Sequence, residues 1–503
     1  MQDPTENQEP GALTLGKRVP WDRFEAWALP GLLLGLVVLL GALTAKLPML
    51  ALLGSAAIVG FFALLVRPEF AAAVVAFLLW ANVPVVAMRD HGVPKTLAAL
   101  YLLLFLLPIG KALLIDKQHL TMPRGLPWLG LFVGFSVISA AFSRDATAGF
   151  DGVQELILEG ALVFALAAFA IRDTLSLRRV TWGLMIAGAF MGTVVIVQQV
   201  SGSFASDFAG FGMIDSGFET GEISTQGEVS QPRFAGPIGE KNRFGQVMLV
   251  LVALGVGFAR AEKPGRLRKV VYLMAALSAA GSALTFSRGN AVAFVLLLVV
   301  MKILGSISSK QLTGLFLAAF GLLLLLPQYR TRLMTIPSVL SLTSATPSAG
   351  APDGAILGRA TEVIAAVLVF VDHPVLGVGP GQFASYSQEY GNPLGLRRLE
   401  SAREAHTLFP HIAAEGGLLG FLPFCAVLGT IMIELFRRSS REGDPLLAGL
   451  SRAYFLAISA NLMCGLFLHM AFIRYFWLLL GVASAAASID SRKRPLDPIA
   501  KLK

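Results

Sequence analysis

A group of ionisable side chains stands at the start of an apolar run near residue 400. The stretch SAREAHTLFPHIAAEGGLLGF (401–421) carries Arg403, Glu404, His406 and His411 before it becomes almost wholly apolar. Burying an unpaired charge is costly, whereas an imidazole near neutral pH is suited to take a proton from a hydroxyl. The segment is therefore either the polar end of an ordinary membrane helix or a site where His406 acts as a general base.

Arginines form a second set of residues that could do chemistry. Arg288 lies in TFSRGN (285–290), between two apolar runs, and an arginine at such a depth requires an anionic partner. Guanidinium groups bind phosphate bidentately, which lysine cannot do. Each base alone fits a solvated or headgroup contact, but several together would suit a pyrophosphate whose lipid tail lies in the bilayer. The others in two long loops are Arg233, Lys241, Arg243, Arg330, Arg332, Arg359, Arg397, Arg398 and Arg403.

The composition of the chain indicates that membrane-spanning helices position these residues. Of 503 residues, 55% are hydrophobic and 15% charged, against about 25% charged in a soluble domain. Apolar runs of about 18 residues or more, long enough to cross the hydrocarbon core, recur along the chain. They predict an all-α polytopic integral membrane protein with about 12–14 transmembrane helices, near 26–45, 47–66, 69–88, 96–115, 126–143, 153–171, 180–200, 244–260, 270–286, 290–306, 312–327, 408–435, 446–468 and 471–489.

Loop charge predicts the orientation. Short loops such as RAEKPGRLRK (260–269) and RRSSRE (437–442) are basic, and alternating spans bring all of them to one side, so both termini are predicted to be cytoplasmic. The two long loops then face outward. The predicted division has two cytoplasmic tails, three groups of transmembrane helices and two periplasmic loops. The tails are 1–25 and 490–503, the transmembrane groups are 26–200, 244–327 and 408–489, and the loops are 201–243 and 328–407.

Several function classes lack their sequence signatures. The chain has no P-loop, no HExxH and no dense acidic cluster for a divalent metal, and its bases sit in loops rather than in a soluble patch for nucleic acid. Cys425 and Cys464 fall in apolar runs and are predicted to be packing residues. The glycines of LGVGPGQF (376–383) are better explained by a tight turn or close backbone approach than by nucleotide binding.

Four segments, taken in order, resemble a known family. They are RFAGPIGEKNRFGQ (233–246), TFSRGN (285–290), GRATEVIAAVLVFVDHPVLGVGPGQF (358–383) and EAHTLFPHIAAEGGLLGF (404–421). Together they are similar to the O-antigen ligase and polymerase superfamily, the Wzy_C-type membrane glycosyltransferases. The resemblance covers about residues 230–440, and it implies a GT-C-like fold in the bacterial inner membrane with the active site facing the periplasm.

The resemblance also implies a reaction and its residues. The enzyme would move a glycan from undecaprenyl diphosphate to a hydroxyl of lipid A-core or of a second lipid-linked glycan, without a metal or cofactor and with inversion. His406 would be the general base, and Arg233 and Arg288 would hold the pyrophosphate. Thr407 stands where the family usually has Asn. Arg359 is a further candidate for the pyrophosphate, and Asn242, within the first motif, is a supporting residue. The residues themselves suggest that Arg403 aids the phosphate and that Glu404 or Glu415 orients the imidazole or caps a helix.

Two other classes stay open from the sequence. A secondary transporter or flippase would place ionisable residues at mid-depth in the spans. Such charges are scarce here, and Glu155 and Glu159, near the start of one span, are the main exceptions. In a non-catalytic scaffold protein, the outer arginines would not converge on one binding site. Ligase and polymerase activities differ in their acceptor, and nothing in the sequence separates them.

Overall fold

The computed structural model describes residues 58–214, 232–315, 317, 354–440, 443–468 and 474–489. Its main helices, in chain order, are α1 (Ile58–Val66), α2 (Ala71–Trp80), α3 (Val83–His91), α4 (Lys95–Ile115), α5 (Leu126–Ala141), α6 (Ala146–Ala170), α7 (Thr174–Ser201), α8 (Lys241–Ala261), α9 (Arg266–Ala283), α10 (Arg288–Ile303), α11 (Gly354–Asp372), α12 (Phe383–Gly391), α13 (Leu408–Ser439), α14 (Pro445–Cys464) and α15 (Arg474–Ser488).

Six of the helices in the described part of the chain are long and apolar enough to cross a membrane. They are α4, α6, α7, α8, α13 and α14, and a seventh span results if α1 and the helical segment Pro68–Trp80, bent by 112° at Arg67, count as one. Together with the near absence of strands, these helices confirm an all-α polytopic membrane protein. The total of 12–14 spans stays a prediction, because the predicted spans at 26–45 and most of 312–327 lie outside the described residues.

The helix ends follow local chemistry. Asp173, Glu240 and Asp444 accept hydrogen bonds from the first free N–H groups of α7, α8 and α14, which is the role that acidic residues play at N-caps. The predicted span at 69–88 is divided instead into α2 and α3. Asn82, between them, has a positive φ of 57° and precedes a helix whose first turn holds Pro84, and a proline there disfavours one continuous helix.

Helix α8 forms the centre of the bundle. In its most apolar window, 83% of the helix is buried within the protein, and it packs mainly on α9 and α14. A Cβ on Gly257 would lie 2.5 Å from Cα of Ala453 in α14, so glycine is required for this approach of two helix backbones. The core of the bundle therefore surrounds the helix that directly follows the first long loop.

The two ends of the helix bundle differ in the loops and contacts that they carry. At the end with the basic short loops, Arg178 pairs with Glu262 at 2.5 Å, Arg172 donates to the carbonyl of His119 at 2.8 Å, and the Arg124 amide donates to Ser488 at 2.9 Å. At the other end lies a two-stranded antiparallel ribbon of β1 (Met213–Ile214) and β2 (Phe234–Gly236). The ribbon joins the described edges of the first long loop.

Candidate active site

His406 contacts a buried carboxylate from another element. Its Nδ1 lies 2.6 Å from Oε2 of Glu362 on α11, and the Glu362 side chain is 1% exposed whereas that of His406 is 33% exposed. The second oxygen, Oε1, lies 3.7 Å from Nη1 of Arg403. The Nδ1 nitrogen of His406 is therefore held by a buried carboxylate, while the ring as a whole stays partly exposed.

Helix α11 is held so that Glu362 faces inward. Ala365, Ala366 and Val369 of α11 are buried in one cluster with Phe383 of α12 and Ala405. At the far end of α11, Asp372 accepts a hydrogen bond from the Tyr390 hydroxyl at 2.8 Å. Burial, together with this hydrogen bond, raises the pKa of Tyr390 to about 12, so the hydroxyl stays a donor near neutral pH.

The backbone around His406 is not helical, and it is anchored at both ends. The Arg403 amide donates to the Ser387 hydroxyl at 2.9 Å, and the Leu408 amide donates to the carbonyl of Gly465 at 2.7 Å. Thr407 is the N-cap residue of α13, but its side chain makes no capping hydrogen bond. The position of His406 therefore depends on α12 before it and on the end of α14 after it.

The glycine-rich turn 376–383 docks against a kink in α13. The amides of Val378 and Gly379 donate to the carbonyls of Ala414 and Glu415, each at 3.0 Å, and the amides of Leu418 and Leu419 donate back to Pro374 and Val375 at 2.7 and 3.1 Å. Gly377 and Gly417 both have positive φ, at 69° and 56°. These glycines serve close backbone approach, as the sequence analysis expected.

The sequence nominated Glu404 and Glu415 to orient the imidazole or to cap a helix, and Glu415 contacts the first residue of α12. Glu415 is buried, its Oε1 accepts from the Phe383 amide at 3.1 Å, and its Oε2 lies 3.3 Å from Nε2 of His411. Glu404 is exposed. The carboxylate on His406 is instead Glu362, which the sequence analysis missed because it lies 44 positions away. Its occurrence within an apolar helix next to Arg359 was the available signal.

A second cluster surrounds the Ser-Arg-Gly corner. Arg233 donates from Nε to the carbonyl of Thr285 at 3.1 Å and from Nη2 to that of Phe286 at 3.4 Å. Arg288 is the first residue of α10, and Ser287 caps this helix. Arg233 therefore holds the backbone of the turn that leads directly into Arg288.

Asn242 braces the same corner from α8. Its Oδ1 accepts from the Ser287 hydroxyl at 2.8 Å, and its carbonyl accepts from Nδ2 of Asn290 at 3.2 Å. Phe286 has a φ of 52°, which is a genuine outlier for a bulky residue and costs about 1–3 kcal/mol. Strain of this kind persists only where surrounding contacts fix the backbone, so the corner has a well-defined shape.

The corner and the His406 segment meet at the end of α14. Cys464 contacts Oδ1 of Asn290 at 3.8 Å, and a Cβ on Gly289 would lie 3.2 Å from Cβ of Phe467. Gly465, between these two contacts, accepts the hydrogen bond from Leu408. Residues 464–467 therefore connect the arginine corner to the histidine segment at the same end of the bundle.

The remaining nominated residues lie around these clusters. Arg359 is half-buried on α11, one turn before Glu362 and so on the same side of the helix. Of the two mid-span carboxylates, Glu159 lies 3.7 Å from Arg474 at the start of α15. Among the residues that the structure describes, no group of three or more His, Cys, Asp or Glu is placed to hold a metal ion.

The fold defines the class of the protein, and a family model matches part of the chain. The protein is a multi-pass, all-α membrane protein. Residues 273–425 match the family described as Wzy_C: O-Antigen ligase, so the chain carries a domain of this family and the resemblance of its motifs is confirmed. The match includes Arg288, Glu362 and His406, whereas Arg233 and Asn242 precede it. A comparison with curated proteins gives no match.

Proposed function

We propose that the protein transfers a glycan from undecaprenyl diphosphate to an acceptor hydroxyl at the outer face of the bacterial inner membrane. The family match supports a glycosyltransferase of the O-antigen ligase or polymerase type. The observation that carries the finer proposal is that residues 464–467 join the Arg233–Arg288 corner to the His406 segment. The reaction needs a base at the acceptor hydroxyl and cations at the departing diphosphate. One end of the bundle carries both a histidine and two arginines.

The chemistry requires a base at the acceptor. The acceptor oxygen attacks the anomeric carbon, and the bond between that carbon and the phosphate oxygen breaks. The imidazole of His406 takes the hydroxyl proton, and undecaprenyl diphosphate leaves with the bonding electrons. A single displacement of this kind inverts the anomeric configuration. A positioned general base contributes about 10²–10⁴-fold to such a step.

The leaving group requires cations. Negative charge gathers on the departing diphosphate, and preorganised guanidinium groups stabilise it as the bond breaks. Arg288 begins α10 at the corner that Arg233 and Asn242 hold in place. In this proposal Arg288 binds the diphosphate, Arg233 both shapes the corner and adds charge, and Arg359 and Arg403 contribute from the His406 side. No step in this mechanism needs a metal ion.

Loop charge supports the orientation. The contacts among Arg124, Arg172 and Arg178 gather the basic short loops at one end, which the positive-inside rule assigns to the cytoplasm. The His406 segment ends the second long loop and Arg233 ends the first, and Arg233 contacts the Ser-Arg-Gly corner at this opposite end. The glycan donor, whose lipid tail lies in the bilayer, would then reach the site from the periplasmic leaflet.

The proposal is tested by the glycan profile of a deletion strain. The strain is complemented with the wild type, His406→Ala or Arg288→Ala, and with His119→Ala and Arg266→Ala as matched controls from the basic end, where both residues are exposed. We expect all variants to reach normal membrane levels, and only the first two to lose long surface or exported polysaccharide. Wild-type glycan output from both His406→Ala and Arg288→Ala would refute the mechanism.

The accumulated intermediates separate the two activities within the class. Single repeats on lipid A-core indicate a lost polymerase. Unmodified core together with lipid-linked polymer indicates a lost ligase. Either result supports glycan transfer and names the acceptor class.

A further inference from the structure

Glu362 is a buried acid on α11, and none of the roles that the resemblance implies falls on it. Its side chain is 1% exposed, and a carboxylate at such burial is stable only when charges or hydrogen bonds compensate it. The compensating contacts that the structure gives are His406 at 2.6 Å and Arg403 at 3.7 Å. Both lie on the segment of the proposed base.

We infer that Glu362 is the positioning residue that fixes the orientation and tautomer of the His406 imidazole. This inference rests on the proposed function. An ionised carboxylate can only accept hydrogen bonds, so its partner Nδ1 carries the hydrogen. The lone pair is then on Nε2, at the other edge of the ring, where it can receive the proton of the acceptor hydroxyl. Glu362 acts through His406 and does not itself touch the substrate.

The surroundings explain why this carboxylate holds one geometry. Thr361, next to Glu362, is fully buried, and a Cβ on Gly391 of α12 would lie 3.0 Å from its Cγ2. The helix that carries Glu362 is therefore packed directly against the element that anchors the backbone of Arg403. A rigid support of this kind is what precise placement of a catalytic group requires.

The test uses the full-length protein in membrane vesicles from the deletion strain, with the lipid-linked glycan that this strain accumulates as the donor. The variants are Glu362→Gln, which keeps the shape and removes the charge, and Glu362→Asp, which keeps the charge on a shorter side chain. Glu389→Gln is the matched control, since Glu389 is an exposed acid that pairs with Arg144 at 3.1 Å. Transfer rates are measured for each variant, after its folding has been checked by size-exclusion chromatography in detergent.

We expect Glu362→Gln to lower the transfer rate on the order of 10²-fold, within the range of a positioned proton-transfer group, because a glutamine amide can donate to Nδ1 and select the wrong tautomer. Glu362→Asp should recover part of the rate, and Glu389→Gln should match the wild type.

A double variant distinguishes positioning from an independent effect. In a His406→Ala background, Glu362→Gln should cause no further loss, because two residues that act as one unit are not additive. A folded Glu362→Gln protein with the wild-type rate would overturn this inference, and so would an additive loss in the double variant. An active His406→Ala protein would overturn the proposed function instead, so the two failures are distinguishable.

Discussion

Replacing Gly417 by alanine should undock the glycine-rich turn from α13. Gly417 has φ of 56° and ψ of −162°, a backbone region that is open almost only to glycine. A Cβ there would lie 2.4 Å from the carbonyl carbon and oxygen of Val375 and 2.6 Å from the amide nitrogen of Gly377. Because these neighbours are backbone atoms rather than flexible side-chain ends, the turn itself must move.

The size of the effect follows from the contacts that the turn makes. Four backbone hydrogen bonds join residues 374–379 to residues 414–419, each worth about 0.5–1.5 kcal/mol. The alanine backbone adds about 1–3 kcal/mol of strain. Loss of all four bonds therefore costs about 2–6 kcal/mol, or about 3–9 kcal/mol together with the strain. If the clash is relieved without loss of the bonds, the strain still remains.

The measurement is the apparent Tm in detergent, together with glycan output in the complemented strain. Gly416→Ala is the matched control, because its Cβ would meet only the Phe421 amide at 3.8 Å. We expect Gly417→Ala to lower the apparent Tm by on the order of several degrees and to reduce glycan output, since the turn leads into α12, which anchors the His406 segment. A Gly417→Ala protein with the Tm and output of Gly416→Ala would refute this reasoning.

Two further predictions concern the supports of the site. Ser139 donates its hydroxyl hydrogen to the carbonyl of Leu376 at 2.6 Å, and the carbonyl of Glu415 lies 3.1 Å from the same hydroxyl. Ser139→Ala should therefore destabilise the protein by about 1 kcal/mol. An unchanged Tm would contradict this. Hydrogen bonds from Arg89 lower the pKa of Asp90, so the stabilisation by the Asp90 charge is fully present above its unfolded pKa and is lost as pH falls through the lower folded value. Asp90→Asn should therefore lower Tm at pH 7, by an amount that shrinks below about pH 4, and a constant difference across this range would contradict the linkage.

The sequence alone was sufficient for the class of protein and for much of the local structure. Apolar run length predicts membrane helices because the hydrocarbon core has a fixed thickness. The described helices α5, α8 and α13 begin within a few residues of the predicted spans. The glycines of 376–383 were assigned to backbone approach for a local reason, since only glycine adopts such a turn readily.

Only the tertiary structure decided which side chains meet. Glu362 reaches His406 across 44 positions because α11, α12 and the 396–407 segment pack together, and no local periodicity encodes that register. Glu404 and Glu415 are closer to His406 in sequence, yet one is exposed and the other holds the start of α12. The arginine corner likewise joins the histidine segment through residues 464–467 of a third element. Residue type and depth are properties of a short stretch, whereas the contact between two side chains depends on how helices far apart in the chain pack. For this reason the sequence nominated His406 but not the carboxylate that contacts it.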